Sequence, residues 1–242
     1  MKTVAIIQAR MGSSRLPGKV LRLVDGQPML CYVVRRAARA QRVDELVVAT
    51  TTGPADEPIA AFCRTEGLPC FRGSETDVLD RYYRAARQQG ADAIVRITGD
   101  CPLIDPEVID RVVEAFQQHQ PKIDYAANII PRRTYPRGLD TEVFRFDALK
   151  RAWREARDPE SREHVTAYLY RNPDRFRLLG VLNENDLSAK RWTVDTEDDL
   201  RLVCAIVAHF GHDRFSWHEV LDAYQQHPEW LEINKHVVQK AA

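Results

Sequence analysis

The sequence opens with Val4-Ala-Ile-Ile-Gln-Ala-Arg-Met-Gly-Ser-Ser-Arg-Leu-Pro-Gly-Lys19, an apolar segment followed by a basic loop rich in glycine and serine. The segment Val4-Ala-Ile-Ile7 predicts a buried β-strand. The loop then places Arg10, Arg15 and Lys19 at the end of that strand. Glycines let a backbone approach an anion, exposed N–H groups point at it, and cations neutralise its charge. The stretch therefore predicts a binding site for a polyphosphate.

This loop differs from the two common nucleotide-binding loops. Gly12 and Gly18 are separated by five residues rather than four, and Val20 stands where the P-loop has a Ser or Thr for magnesium. No Gly-x-Gly-x-x-Gly sequence for a dinucleotide is present. The sequence thus indicates a third kind of nucleotide site.

Length, charge and cysteine content narrow the class of protein. The chain has 242 residues, enough for one α/β domain, and 35 Lys and Arg balance 35 Asp and Glu. A nucleic-acid binder usually shows a basic excess, so no nucleic-acid partner is predicted. No apolar run has the length of a membrane span, and no leader precedes the first strand. Five cysteines without a Cys-x-x-Cys pair suit reduced thiols, and the predicted location is cytoplasmic.

Strand and helix patterns alternate through the first half of the chain. A helix is predicted from Pro28, a strand over Leu46–Thr50, and a helix from Val78 that ends near Gly90. Ala93–Ile97 predicts a further strand. Asp105-Pro106 then supplies an N-cap and a proline for the first turn of the next helix. This alternation predicts an α/β fold with a mostly parallel central sheet, seven-stranded and flanked by helices.

The second half has shorter segments. Mixed strands are predicted over 125–128, 141–146 and 176–182, and a last strand over 191–195. Thr196 predicts a helix in capping-box form, and the part of the chain from Ser216 onward is helical and amphipathic. We expect a single domain over 1–242, with a small mixed β subregion at about 120–185 and a helical C-terminal tail at 205–242.

Two aspartates follow predicted strands that end at the same edge of the sheet as the basic loop. Asp100 follows the strand over Ala93–Ile97, and Asp195 ends the last predicted strand. Open parallel sheets bind ligands outside the carboxyl ends of their strands. Mg²⁺ is typically held by one or two carboxylates, with waters and phosphate oxygens as its other ligands. Asp100 and Asp195 are therefore the predicted metal ligands, and Mg²⁺ is the predicted cofactor.

Three motifs in this order carry a family resemblance, and two further segments extend it. Gln8–Lys19, Thr98-Gly-Asp-Cys-Pro-Leu-Ile104 and Trp192-Thr-Val-Asp-Thr-Glu-Asp198 resemble the cytidylyltransferases that activate acidic sugars such as sialic acid and KDO. Tyr135–Phe144 and Arg162–Thr166 are similar to segments of the branch of spore-coat polysaccharide biosynthesis (SpsF-type) proteins. The resemblance covers the chain from about residue 3 to about residue 205. It implies a Rossmann-like nucleotidyltransferase fold and an enzyme that makes surface polysaccharide or glycoconjugate precursors.

The resemblance also implies a reaction and the residues that perform it. CMP is transferred from CTP to an acidic sugar or sugar-like acceptor, and pyrophosphate is released. Arg10, Lys19 and Asp100 are implied as catalytic residues, and Asp100 and Asp195 as metal ligands. The implied nucleotide-binding residues are Ala9, Arg10, Gly12, Ser13, Ser14, Arg15, Lys19, Thr98 and Asp100. The chain has Thr98 and Cys101 where the KDO enzymes carry Gln and Glu, and its loop differs from that of the sialic acid enzymes.

The segment from Arg137 to Glu142 is the predicted acceptor pocket. Arg137 would meet a carboxylate or phosphate, Gly138 would permit close approach, and Asp140 and Glu142 would take sugar hydroxyls. His164 would join them or act in proton transfer. The same 120–185 subregion is the predicted place for a second subunit to dock in a homodimer.

Two alternative functions stay open at this point. A nucleotide-sugar-dependent glycosyltransferase has a similar sheet, although no Asp-x-Asp stands near the expected strand end. A non-catalytic nucleotide-binding subunit of the pathway would carry a degraded loop, and this loop is intact.

Three further predictions concern residues outside the expected site. Arg35, Arg36 and Arg39 are predicted to form a solvated helix face, and Cys101 is predicted to be a buried neutral thiol. His209 and His212 have metal-compatible spacing, but they lack a third ligand and predict no metal site.

Overall fold

The computed structural model of this chain describes residues 1–239, so the last three residues of the predicted 205–242 tail lie outside it. The strands are β1 (Thr3–Gln8), β2 (Leu23–Val24), β3 (Gln27–Pro28), β4 (Glu45–Thr51), β5 (Cys70–Gly73), β6 (Ala93–Thr98), β7 (Tyr125–Ala127), β8 (Glu142–Arg145) and β9 (Leu178–Gly180). The helices are α1 (Met29–Ala37), α2 (Glu57–Thr65), α3 (Val78–Gln88), α4 (Pro106–Gln118), α5 (Phe146–Glu155), α6 (Pro159–Glu163), α7 (Ala167–Tyr170), α8 (Glu197–Phe210), α9 (Trp217–Gln226) and α10 (Trp230–Asn234).

Seven of these strands form one sheet in the order β5-β4-β1-β6-β8-β7-β9. The pairs β5–β4, β4–β1, β1–β6 and β7–β9 are parallel, whereas β8 runs antiparallel to both β6 and β7. The predicted seven-stranded, mostly parallel sheet is confirmed. Its mixed part is built by the three short strands of the second half, as the sequence predicted.

The strand order reverses beside β1. From β1 the chain proceeds to β4 and β5 on one side and then crosses to β6 on the other. At such a switch point the connections after two neighbouring strands turn away from each other and leave a crevice at their carboxyl ends. The loop after Gln8 and the turn after Thr98 flank this crevice, because β1 and β6 pair in register from Thr3↔Ala93 to Gln8↔Thr98.

Alternate residues of β1 enter the two hydrophobic layers that cover the sheet. Ala5 and Ile7 pack in one cluster with α1, α4 and α8, and Val4 and Ile6 pack in the other with α3 and α5. All four side chains are fully buried, which is why β1 is apolar without alternation. Within residues 1–239, no helix combines the length and apolarity needed to cross a membrane.

The helix starts that the sequence predicted follow local capping chemistry. The Asp105 side chain accepts a hydrogen bond from the backbone N–H of Glu107 ahead of α4. Thr196 and Ser216 form capping boxes with Asp199 and Glu219 at the starts of α8 and α9. These contacts satisfy backbone donors that a helix leaves unpaired at its first turn.

The prediction of a strand over 191–195 is wrong, and the edge strand β5 was not predicted. Arg191 makes only an isolated parallel bridge with Arg137. Four residues further along, the backbone N–H of Asp195 donates to the Asp199 carboxylate at 2.9 Å, so the chain turns into α8 instead of extending a ladder. β5 has partly exposed residues and a glycine, and its pairing with β4 is a non-local contact that its own sequence does not signal.

The prediction of a solvated face at Arg35, Arg36 and Arg39 is wrong for Arg36. Arg36 is fully buried, whereas the Arg35 side chain is 49% exposed. Arg36 donates from Nε to the Ile104 carbonyl at 2.7 Å and from Nη1 to the Phe215 carbonyl at 2.9 Å. The segment before α9 covers this side of α1, so a position that the isolated helix exposes becomes interior.

Gly138 lies against another backbone segment. Its φ of +105° is in the region that favours glycine, and an added Cβ would stand 2.7 Å from Thr193 N and 2.7 Å from Trp192 C. The Trp192 N–H also donates to the Arg137 carbonyl at 2.7 Å. The close approach at Gly138 is therefore to the segment that leads to Asp195.

Gly138→Ala is expected to lower the free energy of unfolding by about 2–4 kcal/mol, because the substitution adds both backbone strain and a backbone clash. Gly90→Ala is the matched control, since Gly90 also has positive φ (+62°) but open space around its Cβ position. It should lose only about 1 kcal/mol. Urea unfolding of both variants measures the difference, and equal losses would contradict the clash.

Candidate active site

A cavity of about 770 Å³ opens at the carboxyl ends of β1 and β6. All nine residues predicted for the nucleotide line it, and so do Asp195 and His164. Glu75, Val78 and Arg81 close the α3 side, and Gln239 reaches the cavity from the C-terminal segment. The volume lies within the range of small-molecule sites, which average several hundred cubic ångströms.

Lys19 connects the two predicted metal ligands. Its Nζ donates to Asp100 Oδ2 at 2.7 Å, to Asp195 Oδ1 at 2.8 Å and to the Val194 carbonyl at 2.8 Å. The Val194 N–H in turn donates to the Asp100 carbonyl at 2.8 Å. Groups that are 81 and 176 residues from Lys19 in sequence thus meet around one ammonium group. All three ammonium protons are used, so contact with a further acceptor requires that one bond be given up.

The mutual charges of these groups shift their pKa values. Burial disfavours the charged form of Lys19, but Asp100 and Asp195 outweigh it, and the pKa of Lys19 lies above its ordinary value. Burial also favours the neutral form of each acid. The Lys19 ammonium outweighs this effect too, and holds the pKa of Asp100 and of Asp195 below the usual range. The site at neutral pH therefore contains one ammonium and two carboxylates.

Asp195 is oriented by two arginines on its other oxygen. Arg15 Nη2 lies 3.0 Å and Arg191 Nη2 lies 2.7 Å from Asp195 Oδ2. Arg191 is itself held by Asp199, which is 1% exposed and accepts from Arg191 Nε at 2.9 Å. Asp199 thus both completes the capping box of α8 and fixes the arginine behind Asp195.

The loop after β1 presents backbone donors to the cavity. Among residues 1–239 the backbone N–H groups of Gly12, Ser13 and Arg15 donate to no protein acceptor. The Met11 N–H donates to Asp56 Oδ1 at 2.6 Å, and this buried carboxylate fixes the start of the loop. Free backbone N–H groups next to cationic side chains are the donors that an anion site requires.

The donor set at Asp100 and Asp195 fits a hard divalent cation. Both carboxylates are ionised, both line the cavity, and both lie within 2.8 Å of the same Nζ atom. Two carboxylates beside a polyphosphate are the ligands that Mg²⁺ uses when it retains water. In the part of the chain that the structure describes, no group of three or more His, Cys, Asp or Glu is arranged to hold a metal by itself. A metal here thus takes its other ligands from water and substrate.

The predicted acceptor residues lie in several places. His164 lines the cavity. Arg137 lines a separate groove beside α9 and α10, and Asp140 pairs with Arg133. Glu142 is 2% exposed and accepts from Arg96 on one oxygen and from Tyr125 Oη at 2.7 Å on the other. The structure brings His164 to the nucleotide-binding residues and does not bring Arg137, Asp140 or Glu142 into the cavity.

Two cavity residues, Arg81 and Arg96, were not predicted from the sequence. Arg96 had a signal: it interrupts the otherwise apolar strand Ala93–Ile97, where a charge must have a partner or a ligand. Arg81 had no such signal, because a cation one turn into a helix is ordinary on a solvated face.

Cys101 is 3% exposed and burial raises the pKa of its thiol, so the predicted buried neutral thiol is confirmed.

Comparison with known proteins identifies relatives over the full chain. A family model described as cytidylyltransferase matches residues 4–216. A Methanocaldococcus jannaschii protein, named uncharacterized protein MJ1063, is 39% identical over 245 residues, covering 100% of this chain and 98% of the relative. The spore coat polysaccharide biosynthesis protein SpsF of Bacillus subtilis is 33% identical over 213 residues, covering 85% of this chain and 86% of the relative.

A solved structure also resembles the whole chain. A cytidylyltransferase from Leptospira borgpetersenii superposes with a TM-score of 0.92 at 33% identity, covering 100% of this chain and 99% of that one. The similarity extends over α9 and α10, beyond the segment that the family model matches.

Proposed function

Because this chain belongs to the cytidylyltransferase family, we propose that it transfers CMP from CTP to an acidic sugar or sugar-like acceptor and releases pyrophosphate. The observation that carries the proposal is the contact of Lys19 with both Asp100 and Asp195 at the rim of a loop with free backbone donors. The product would serve surface polysaccharide or glycoconjugate synthesis, as the name of the SpsF relative suggests. The chain is accordingly an enzyme of the nucleotidyltransferase class.

The loop supports the proposed position of the triphosphate. Arg10 is exposed at the cavity, and the N–H groups of Gly12, Ser13 and Arg15 are available for phosphate oxygens. Positively charged groups and fixed donors stabilise charge that builds on a leaving pyrophosphate. Arg10, Lys19 and Asp100 are the proposed catalytic residues. The proposed nucleotide contacts also include Ala9, Ser14 and Thr98, which line the same cavity.

Mg²⁺ is the proposed cofactor, held by Asp100 and Asp195. When bound, such an ion neutralises charge on the phosphates during the displacement. The chain's own contribution is to keep both carboxylates ionised through Lys19 and to orient Asp195 through Arg15 and Arg191.

The proposed chemical step is a displacement at the α-phosphorus of CTP. The acceptor hydroxyl oxygen forms a bond to the α-phosphorus, the bond from that phosphorus to the bridging oxygen breaks, and pyrophosphate leaves with the electron pair. The hydroxyl proton passes to His164 or to water. His164 is the proposed acceptor contact that lines the cavity, while Arg137, Asp140 and Glu142 are proposed to shape the acceptor side from outside it.

We also propose that residues 1–242 form one domain, in which 120–185 serves acceptor binding and dimerisation and 205–242 forms the C-terminal tail. The sheet supports a single domain, because β7, β8 and β9 of the subregion continue the sheet of the first half. The proposed homodimer is tested by sedimentation of the full chain.

Five free cysteines support the proposed cytoplasmic location.

The function is tested by incubating the protein and Mg²⁺ with each nucleoside triphosphate and a panel of sugar acids. We expect pyrophosphate with CTP and at least one acid, and none with ATP, GTP or UTP. Asp100→Asn should abolish the signal, whereas Asp198→Asn should not, because Asp198 does not line the cavity. Turnover of a nucleotide sugar without pyrophosphate would contradict the proposal and favour a glycosyltransferase. Binding of CTP without any turnover would favour a non-catalytic subunit.

A further inference from the structure

The α3 side of the active-site cavity contains two arginines to which the proposed reaction assigns no role. Arg81 lies on α3, and only 2% of its surface is exposed. Arg96 lies in β6, and its side chain is 16% exposed. Both line the same cavity as Lys19. A buried guanidinium is costly unless it has hydrogen-bond acceptors and a counter-charge, so each of these groups needs a partner.

Arg96 has its counter-charge in the protein. It stands opposite Glu142 in the antiparallel pair of β6 and β8, and Nη1 donates to Glu142 Oε1. Glu142 is fixed in turn by Tyr125 Oη at 2.7 Å and by Thr166 Oγ1 at 2.5 Å. The Arg96 Nε group has no hydrogen-bond partner. Glu142 therefore acts as a positioning residue that holds Arg96 at the cavity wall.

Arg81 lacks such a counter-charge. Its Nη1 donates to the Ser74 carbonyl, and its Nε has no partner. Among residues 1–239 no carboxylate lies within 4.0 Å of its guanidinium, although the exposed Glu75 lines the same cavity. Burial lowers the pKa of Arg81, and the nearby charges of Asp56 and Glu75 do not offset this effect. A negatively charged ligand group would offset it.

The proposed position of CTP leaves this anion to another ligand. The negative charge of CTP is on its triphosphate, for which the loop of Arg10, Arg15 and Lys19 already provides cations. The ribose and the base carry no negative charge. The acceptor must enter the same cavity, since its oxygen has to reach the α-phosphorus.

We propose that Arg81 and Arg96 form an anion subsite that binds the acidic group of the acceptor, either a carboxylate or a phosphate-type group. Guanidinium groups suit this role because they bind both anions through two parallel hydrogen bonds. This inference rests on the proposed function, and it assigns the acid-binding role to two arginines of the cavity wall, whereas the predicted Arg137 lies outside that cavity.

The subsite is tested by titrating protein saturated with CTP and Mg²⁺, so that the loop cations are occupied. The probes are glycolate, inorganic phosphate and, as the uncharged control, ethylene glycol. We expect the two anions to bind and Arg81→Met to weaken them roughly 10- to 100-fold, the range for a lost charge-assisted hydrogen bond. Tighter glycolate indicates a carboxylate acceptor, and tighter phosphate indicates a phosphate-type one.

Arg84→Met is the matched control, because Arg84 lies one turn along α3 with a side chain that is 55% exposed and outside the cavity. It should bind both anions as wild type does. Arg81→Lys, which keeps the charge, should restore phosphate more than glycolate. For Arg96 the double variant Arg96→Met with Glu142→Gln avoids a stranded buried carboxylate and should also lose the anions.

Two results would overturn the subsite. One is wild-type protein that binds glycolate and phosphate no better than ethylene glycol, and the other is equal anion binding by Arg81→Met and Arg84→Met. Failure of the proposed function has a different signature: no pyrophosphate with CTP and any sugar acid, while anion binding still depends on Arg81.

Discussion

Lys19→Met is expected to lower kcat/KM for CTP-dependent pyrophosphate release by roughly 100- to 10,000-fold, the range for removing a charged group that stabilises a phosphoryl-transfer transition state. Lys19 is the one side chain in residues 1–239 that contacts both Asp100 and Asp195. Its loss removes positive charge where the triphosphate is proposed to lie. It also leaves two carboxylates facing each other without the ammonium that keeps their pKa values low.

Two further variants separate charge from geometry in this experiment. Lys19→Arg keeps the charge but replaces a compact ammonium, which makes three bonds, with a planar fork, so we expect partial activity. Arg22→Met is the matched control, because Arg22 lies one turn after Lys19, pairs with the exposed Glu197 and does not line the cavity. It should keep its activity. A loss of less than about tenfold in Lys19→Met, with CTP binding intact, would contradict the assigned role.

Arg36→Met is expected to lower the free energy of unfolding by about 3–5 kcal/mol, which is the cost of removing one partner of a buried ion pair. Arg36 Nη2 lies 3.4 Å from Asp105 Oδ2, and Nη1 also donates to the Asp213 carbonyl at 2.7 Å. Its guanidinium lies 4.5 Å from the Phe215 ring centroid. The substitution leaves the carbonyls of Ile104, Asp213 and Phe215 without their donor. It also leaves the buried Asp105 without its counter-charge.

The pKa shifts show how strongly both groups are desolvated. Burial lowers the pKa of Arg36 to about 10 and raises the pKa of Asp105, since desolvation disfavours both charges. The neighbouring variant Arg35→Met is the control, because the nearest acid, Glu66, is 3.7 Å from an exposed side chain. It should change the unfolding free energy by no more than about 0.5 kcal/mol. Urea unfolding measures both, and losses within about 1 kcal/mol of each other would contradict a structural role for Arg36.

The elements that the sequence predicted correctly depend on local chemistry. Asp105, Thr196 and Ser216 cap helices through contacts two or three residues away, so their signals are complete within a short window. The strand expected over 191–195 depended on pairing instead. Its apolar residues, Trp192 and Val194, alternate with polar ones as in a strand, yet the Asp199 carboxylate accepts from the Asp195 N–H and the ladder ends at one bridge.

The site divides in the same way. The basic loop and Asp100 were predictable, because each directly follows an apolar strand and parallel strands bring their carboxyl ends to one edge. Arg81 and Arg96 were not recognised, since their significance lies in what surrounds them. Arg96 is held by Glu142 from another strand, and the environment of Arg81 is set by residues that fold around α3.

The sequence by itself determined six of the seven strands of the sheet, the helix starts and the chemical class of the site, because hydrophobic periodicity, caps and a glycine-rich loop act over a few residues. Only the tertiary structure decided which charges meet. Lys19 pairs with both Asp100 and Asp195, and Arg36 is buried. The absence of a Cβ at Gly138 leaves room for the segment that leads to Asp195. Such contacts join residues far apart in sequence. Burying an unpaired charge is costly, which favours arrangements in which a buried charged group has a partner.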